Sequence, residues 1–129
     1  MGNDDQRENE KCERIVLLYA CSGGSNAAEA ADRAAREATS EGLGMMFCLA
    51  GLGAGVPGML QIARNADLNV VIDGCTMNCA KKIFDACGVN NYVQVKVADL
   101  GIEKVTGARA DDDQVGKVLQ AVRKVLNGG

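Results

Sequence analysis

The apolar run IVLLYAC at residues 15–21 is followed by two similar runs, GMMFCLA and VVIDGC. Each run contains or ends in a cysteine, and Cys21, Cys48 and Cys75 are spaced at equal intervals of 27 residues. Such an interval accommodates one strand and the helix that crosses to the next parallel strand. Because the carboxyl ends of parallel strands meet at one edge of a sheet, the spacing predicts three thiols at that edge.

Four apolar runs alternate with helix-like segments, which predicts a small doubly wound α/β fold of the Rossmann or flavodoxin type. The expected strands cover residues 15–20, 44–50, 70–72 and 92–97. The first and third are apolar on both faces and typical of central strands, whereas the fourth alternates valine with polar residues, as an edge strand does. We therefore expect a parallel sheet in the order 2-1-3-4 with helices on both faces in three layers. Ligands in such sheets bind where the winding reverses, here between the first and third strands.

The helices have recognisable ends. Asn26 and Glu29 resemble a capping box that begins the first helix, and Gly42 is expected near its end. The acidic run at residues 111–113 is expected to cap the last helix and to interact with its dipole. Cys87 lies on the apolar stripe of the helix after the third strand, so it is expected to be a buried core residue.

The chain has 129 residues, of which nearly half are apolar. We expect a flexible polar tail at residues 1–13 and one cysteine-rich α/β domain at residues 14–129. No apolar stretch approaches the roughly 18 residues that cross a bilayer, and no secretion signal is visible, which predicts a cytoplasmic protein with no membrane partner. A net charge of −3 and only four aromatic residues argue against nucleic acid as a partner. Either a monomer or a homodimer fits this composition.

Six cysteines in a chain with a good core and no export signal are expected to be reduced. The chain contains no histidine, which excludes mixed Cys/His zinc sites and Cys/His nucleophilic pairs. Cys79 follows Cys75 by one helical turn, so both thiols are predicted on one helical face. We therefore expect one zinc ion bound by Cys21, Cys48, Cys75 and Cys79, with a structural, sensing or metal-handling role; an iron–sulfur cluster is the alternative cofactor.

Cys48 is the least secure of these ligands, because LAG still follows it before the glycine-rich loop. If it lies buried one layer below the site, water can take the fourth metal position and an enzyme becomes plausible. A second alternative is a thiol-dependent enzyme or redox protein that uses Cys75 or Cys21. Asp73 is expected to be its general base, a metal ligand, a hydrogen-bond partner of a ligand, or simply a cap for the next helix. Lys82 is the lysine best placed to balance thiolate charge.

The glycine-rich segment at residues 51–58 is a further candidate site. Gly53, Gly55 and Gly58 satisfy the pattern GxGxxG, and Asp73 follows Gly53 by 20 residues, as in dinucleotide-binding folds. However, the motif does not open the domain, its helix is short, and the second mononucleotide-binding half is missing. The segment is expected instead to be a mobile loop near the sulfur site.

Five blocks occur in a fixed order: CSGGSN at 21–26, AAR at 34–36, CLAG at 48–51, DGC at 73–75 with Cys79, and LGIEK at 100–104. Together they resemble the DGC-domain family over roughly residues 14–126. Members are described as zinc-binding proteins with four cysteines proposed as ligands. The resemblance implies the same four ligands as the geometric argument and leaves Cys12 and Cys87 outside the pattern. It implies no particular reaction.

Overall fold

The computed structural model describes residues 14–128, so the predicted tail at residues 1–13 lies outside the described chain. The strands are β1 (Val16–Ala20), β2 (Met45–Met46), β3 (Leu68–Asp73) and β4 (Tyr92–Lys96). They form one sheet in the order β2-β1-β3-β4, and each neighbouring pair is parallel. The predicted α/β class and strand order are confirmed.

The helices are α1 (Asn26–Ser40), α2 (Leu49–Gly53), α3 (Pro57–Asn65), α4 (Cys79–Cys87) and α5 (Asp112–Gly128), with a 3₁₀ turn at Val97–Leu100. Helix α1 packs against β1 and α5, whereas α4 packs against β3 and α2. From β1 the chain crosses outward to β2, and from β3 it crosses outward to β4 on the other side of the sheet. Because such crossovers are right-handed, α1 and α4 lie on opposite faces of the sheet. No helix within residues 14–128 combines the length and the apolar character that a membrane span requires.

The two central strands are covered on both faces. All five residues of β1 are buried, as are the last five of β3. Leu18 lies opposite Val70 and Ala20 opposite Ile72 in the register. Ile15, which was expected in the strand, precedes it and is 57% exposed.

Strand β2 is much shorter than predicted. Only Met45–Met46 pair with β1, and one further hydrogen bond joins the Phe47 N–H to the carbonyl of Leu18 at 2.8 Å. The chain then turns, and Cys48 occupies the N-cap position of helix α2, in which Leu52 is buried. The apolar run GMMFCLA is therefore divided between the edge strand Met45–Met46 and a short helix that packs against α4.

Helix α1 buries small residues against the sheet and α5. Its buried residues are Asn26, Ala27, Ala28, Ala30, Ala31, Ala34, Ala35 and Ala38. A methyl group is the smallest side chain that still excludes water, so this face lets the helix lie close to the strands. The helix is thereby held against β1, whose carboxyl end leads directly into it.

The start of α1 differs from the prediction. Ser25 is the N-cap, and its Oγ accepts the N–H of Ala28 at 3.1 Å, whereas Asn26 is already in the helix. The Glu29 carboxylate does not return to the cap, because it accepts hydrogen bonds from Arg109 and from the Ala110 N–H at 2.7 Å. The predicted Asn26–Glu29 capping box is therefore wrong, and both side chains bind a distant loop instead.

The end of α4 and the start of α5 agree with the sequence analysis. In α4, Ala80 and Phe84 are buried, and Gly88 follows with φ of 74°, the left-handed conformation of a helix C-cap. In α5, Asp111 Oδ1 accepts the Gln114 N–H at 2.8 Å, and Gln114 Oε1 accepts the Asp111 N–H at 3.3 Å. This reciprocal pair is a capping box, so the expected role of the acidic run as a cap is confirmed.

Candidate functional site

A cavity of about 200 Å³ opens between the carboxyl ends of β1 and β3. It is lined by residues 21–25 of the CSGGS loop, by Ala28, by the DGC turn at residues 73–75, and by Met77, Cys79, Lys104 and Thr106. The cavity lies at the crevice where the sheet winding reverses, as expected for this strand order. It brings three of the four predicted ligands together, namely Cys21, Cys75 and Cys79.

Cys21 is the most enclosed thiol of the cavity, with 8% of its surface exposed. Its Sγ accepts a hydrogen bond from the Gly74 N–H at 3.0 Å. Burial raises the pKa of Cys21, the Gly74 N–H opposes that rise, and the negative charges of Asp73, Cys75 and Cys79 add to it. Cys75 and Cys79 are therefore close enough to Cys21 to affect its pKa.

The glycine of the DGC turn is required by close packing. A Cβ atom at Gly74 would lie 3.0 Å from Cys21 Sγ, 3.0 Å from the Ala28 nitrogen and 3.1 Å from the Ala27 carbonyl carbon. The last two are backbone atoms at the start of α1 and cannot turn aside as a flexible side chain can. Glycine therefore allows the turn after β3 to touch both the first thiol and the helix that follows it.

Asp73 is 1% exposed and fully engaged with its neighbours. Its Oδ1 accepts the Ala80 N–H at 2.8 Å, and its Oδ2 accepts the Lys81 N–H at 3.1 Å and the Gln94 Nε2–H at 2.8 Å. The carboxylate thus satisfies two N–H groups in the first turn of α4, where the positive end of the helix dipole lies. These contacts are those of a helix cap, one of the roles expected for Asp73.

The prediction that Cys75 and Cys79 share one helical face is wrong. Residues 75–78 form a turn, closed by a 3.3 Å hydrogen bond from the Asn78 N–H to the Cys75 carbonyl, and α4 begins only at Cys79. Asn78 has φ of 57° and ψ of 43°, a left-handed conformation that asparagine tolerates better than most residues. The helix starts at Cys79 and not before it, because Asp73 caps its first turn at the Ala80 N–H. The turn at residues 75–78 therefore sets where the Cys75 and Cys79 thiols lie relative to each other.

Cys48 does not line the cavity and is not buried below it. It is exposed at the N-cap of α2, where its side chain makes no capping hydrogen bond. Helix α2 packs against α4, and a Cβ at Gly53 would lie 3.5 Å from Ile83 Cδ1. Cys48 and Cys79 thus lie at the starts of two neighbouring helices, both of which follow the carboxyl end of a strand.

The donor chemistry of the cavity suits a thiolate-binding ion, because three thiols face it and the chain has no histidine. Within residues 14–128, no three cysteine or carboxylate side chains lie close enough together to hold one ion as they stand. The ligand set Cys21, Cys48, Cys75 and Cys79 is thus still a prediction, and so are zinc and its iron–sulfur alternative.

Lys104 and Thr106 are among the cavity residues that the sequence analysis missed. The lysine favoured from the sequence, Lys82, is exposed on α4 and does not line the cavity. Lys104 is the last residue of the block LGIEK, so the motif itself carried the signal. Local periodicity could not reveal it, because the segment follows β4 and is joined to the cavity by contacts with Asn26, 77 and 79 residues away in the chain.

Asn26 is the residue that brings this segment to the cavity. Its Nδ2 donates to the Glu103 carbonyl at 2.9 Å, and its Oδ1 accepts the Val105 N–H at 2.6 Å. Asn26 is only 4% exposed, so these bonds are sheltered from water. The asparagine of CSGGSN therefore fixes the backbone on both sides of Lys104.

The GxGxxG segment has a different geometry from the dinucleotide fingerprint. Gly53 is the last residue of α2, Gly55 has φ of 72° in the connection, and Gly58 is already in α3. The motif thus joins two short helices, whereas the fingerprint joins a strand to a helix. Asp73, its expected ribose partner, is occupied by amide groups of α4.

The similarity to known proteins extends over most of the chain. The DGC domain matches residues 17–122, a span that includes all four predicted ligands. The chain is 28% identical over 115 residues to the anaerobic and virulence modulator AnvM of Pseudomonas aeruginosa, covering 89% of this chain and 88% of that protein. No solved structure matches the chain significantly. With most of its length matched by the domain, this chain belongs to the DGC domain family.

Proposed function

We propose that this protein binds one zinc ion through Cys21, Cys48, Cys75 and Cys79 and has a structural, sensing or metal-handling role. The observation that carries the proposal is the convergence of three of these thiols on one cavity at the crevice of the sheet. Zinc prefers tetrahedral sulfur coordination in sites without histidine. The same thiols could bind an iron–sulfur cluster, which would colour the protein brown, whereas zinc leaves it colourless.

The surroundings of Cys21 support its role as a ligand. A bound cation offsets the cost of a buried thiolate, and the Gly74 N–H is already directed at the sulfur. Hydrogen bonds of this kind orient a ligand and adjust its basicity. Gly74 therefore serves the proposed ligand as well as the packing, because it lets its N–H approach the sulfur of Cys21.

Cys48 is the ligand that requires movement. Its helix, α2, is short, lies against α4 and begins at the same edge as Cys79. A shift of the exposed segment before α2 would carry its thiol toward the other three. With four thiolates bound, zinc has no open position, which favours sensing or metal handling over hydrolysis.

The relative from Pseudomonas aeruginosa is named a modulator, which favours a sensing role for this chain as well. Thiols that bind a metal reversibly must be kept reduced, so the proposal includes a cytoplasmic location.

A thiol-dependent enzyme acting through Cys75 is the second candidate, because this thiol is partly exposed inside the cavity. It predicts that Cys75 reacts with iodoacetamide well below pH 8 in metal-free protein. Asp73 gives this mechanism little support as a general base, because its oxygens already accept three hydrogen bonds.

The metal proposal is tested by elemental mass spectrometry of tag-free protein purified without oxygen. The native chain, Cys75→Ser and the control Cys87→Ser are compared. We expect about one zinc per chain in the native protein and in Cys87→Ser, and none in Cys75→Ser. A native protein without zinc or iron would contradict the proposal and favour thiol chemistry at Cys75.

A further inference from the structure

We infer that Gln94 is a positioning residue for the thiol of Cys79, an inference that rests on the proposed metal site. Gln94 lies on β4, opposite Val71 of β3, and belongs to none of the five sequence blocks. Its side-chain amide makes two hydrogen bonds, to Asp73 Oδ2 at 2.8 Å and to Asn78 Oδ1 at 3.0 Å. A primary amide has two N–H donors, and here each has its own acceptor.

These two bonds fix the chain on both sides of Cys79. On the preceding side, Gln94 binds Asn78, whose left-handed conformation must be held by its surroundings. On the following side, Asp73 binds the Ala80 N–H at 2.8 Å, and Asp73 is itself held by Gln94. One amide on the edge strand thus sets the direction in which the turn presents Cys79.

Only a side chain of this length with two N–H donors can form both hydrogen bonds. A carboxylate at position 94 offers no donor at neutral pH and would lie against the Asp73 carboxylate, since Gln94 Nε2 is 2.8 Å from Asp73 Oδ2. Gln94→Glu therefore keeps the side-chain volume, removes both bonds and adds repulsion. Gln94→Met keeps the length and removes the bonds without adding charge.

Tyr92→Phe is the matched control. Tyr92 lies on the same strand, and its hydroxyl donates to Asp85 Oδ1 at 2.6 Å, near the far end of α4. This substitution removes one hydrogen bond between β4 and α4 and leaves the turn at residues 75–78 untouched. It therefore measures the effect of losing one contact between β4 and α4 while the turn before Cys79 stays intact.

The first readout is metal binding. Zinc affinity is measured by competition with a chromophoric chelator, and cobalt replaces zinc so that its visible d–d bands report the coordination geometry. We expect Gln94→Glu and Gln94→Met to bind zinc at least about tenfold more weakly and to show altered cobalt bands. Tyr92→Phe should match the native protein in both measurements. Equal losses in Gln94→Met and Tyr92→Phe would overturn the inference, because they would indicate general destabilisation.

The second readout can be made whether or not the protein holds zinc. Mass spectrometry follows alkylation of Cys79 by iodoacetamide in the protein as purified, with Cys87 as the internal reference. We expect alkylation of Cys79 to be several-fold faster in Gln94→Met than in the native protein, with Cys87 unchanged. If the native chain binds no metal, the proposed function fails and this rate alone decides the inference. An unchanged rate of Cys79 alkylation would overturn the inference. Gln94→Met still provides the test if Gln94→Glu does not fold.

Discussion

The backbone N–H of Gly74 donates a hydrogen bond to the Sγ of Cys21 across 3.0 Å. This bond joins the turn after β3 to the first residue after β1, two points 53 residues apart in the chain. The DGC turn and the CSGGSN loop therefore form one structural unit at the crevice.

Gly74→Ala should destabilise the protein by about 1–3 kcal/mol, because the new methyl group would press on Cys21 Sγ and on the backbone of α1. Chemical denaturation measures this loss. Gly24→Ala is the control in the same unit, because a Cβ there has no atom within 4 Å, and it should change stability by less than about 0.5 kcal/mol. Equal effects of the two substitutions would contradict the packing argument.

Asn26→Ala should release the segment that carries Lys104. It leaves the Glu103 carbonyl and the Val105 N–H without their side-chain partner, at a cost of about 1–3 kcal/mol for each group that stays unsatisfied. Hydrogen exchange at residues 103–107 should become faster, while exchange in β3 is unchanged. The control Asn90→Ala removes an exposed asparagine and should leave both regions as in the native protein. Unchanged exchange at residues 103–107 would show that Asn26 does not hold this segment.

Stability should fall in acid through Glu29. Hydrogen bonds from the Arg109 side chain and the Ala110 N–H lower the pKa of Glu29 from 4.5 to about 2. Because the folded pKa is the lower one, this contribution is complete above pH 4.5 and is lost as the pH falls toward 2. Denaturation between pH 5 and about pH 2 should therefore show a shallower pH dependence in Glu29→Gln than in the native chain. Parallel curves would contradict the prediction.

Cys48→Ser separates a four-cysteine site from a three-cysteine site. If Cys48 is a ligand, zinc affinity should fall at least about tenfold, because a serine hydroxyl is a poor replacement for a thiolate. Competition with a chromophoric chelator measures the affinity. Cys87→Ser is the control, since Cys87 lies outside the cavity with its Sγ 3.6 Å from the Phe84 carbonyl. Unchanged affinity in Cys48→Ser would leave three cysteines and an open metal position.

The central part of the fold could be predicted from the sequence because its signals are local. Strands β1 and β3 are covered on both faces and read as continuous apolar runs. The cap of α5 lies within the four residues from Asp111 to Gln114. The end of β2 could not be predicted, because the apolar residues after Met46 suit an edge strand and the helix α2 equally well.

Part of the site could be predicted as well, because Cys21 and Cys75 directly follow the apolar runs of β1 and β3. Strand order and spacing place Cys21 and Cys75 at one crevice, as observed. The start of α4 could not be read locally, because it depends on Asp73 and on Gln94, which lies 21 residues further along the chain. The role of Asn26 was missed because its partners, Glu103 and Val105, are more than 75 residues away.

The alanine face of α1 has a consequence for the cysteine cavity. The loop at residues 22–25 leads into this helix, so its height above the DGC turn depends on how closely α1 lies against the sheet. A larger side chain at a buried alanine of α1 beyond Ala28 that faces the strands would lift the helix from the sheet and widen the crevice. In the proposed metal site, methyl-sized side chains outside the cavity would thus govern how an ion reaches the thiols, and selection could alter access while every cysteine stays in place.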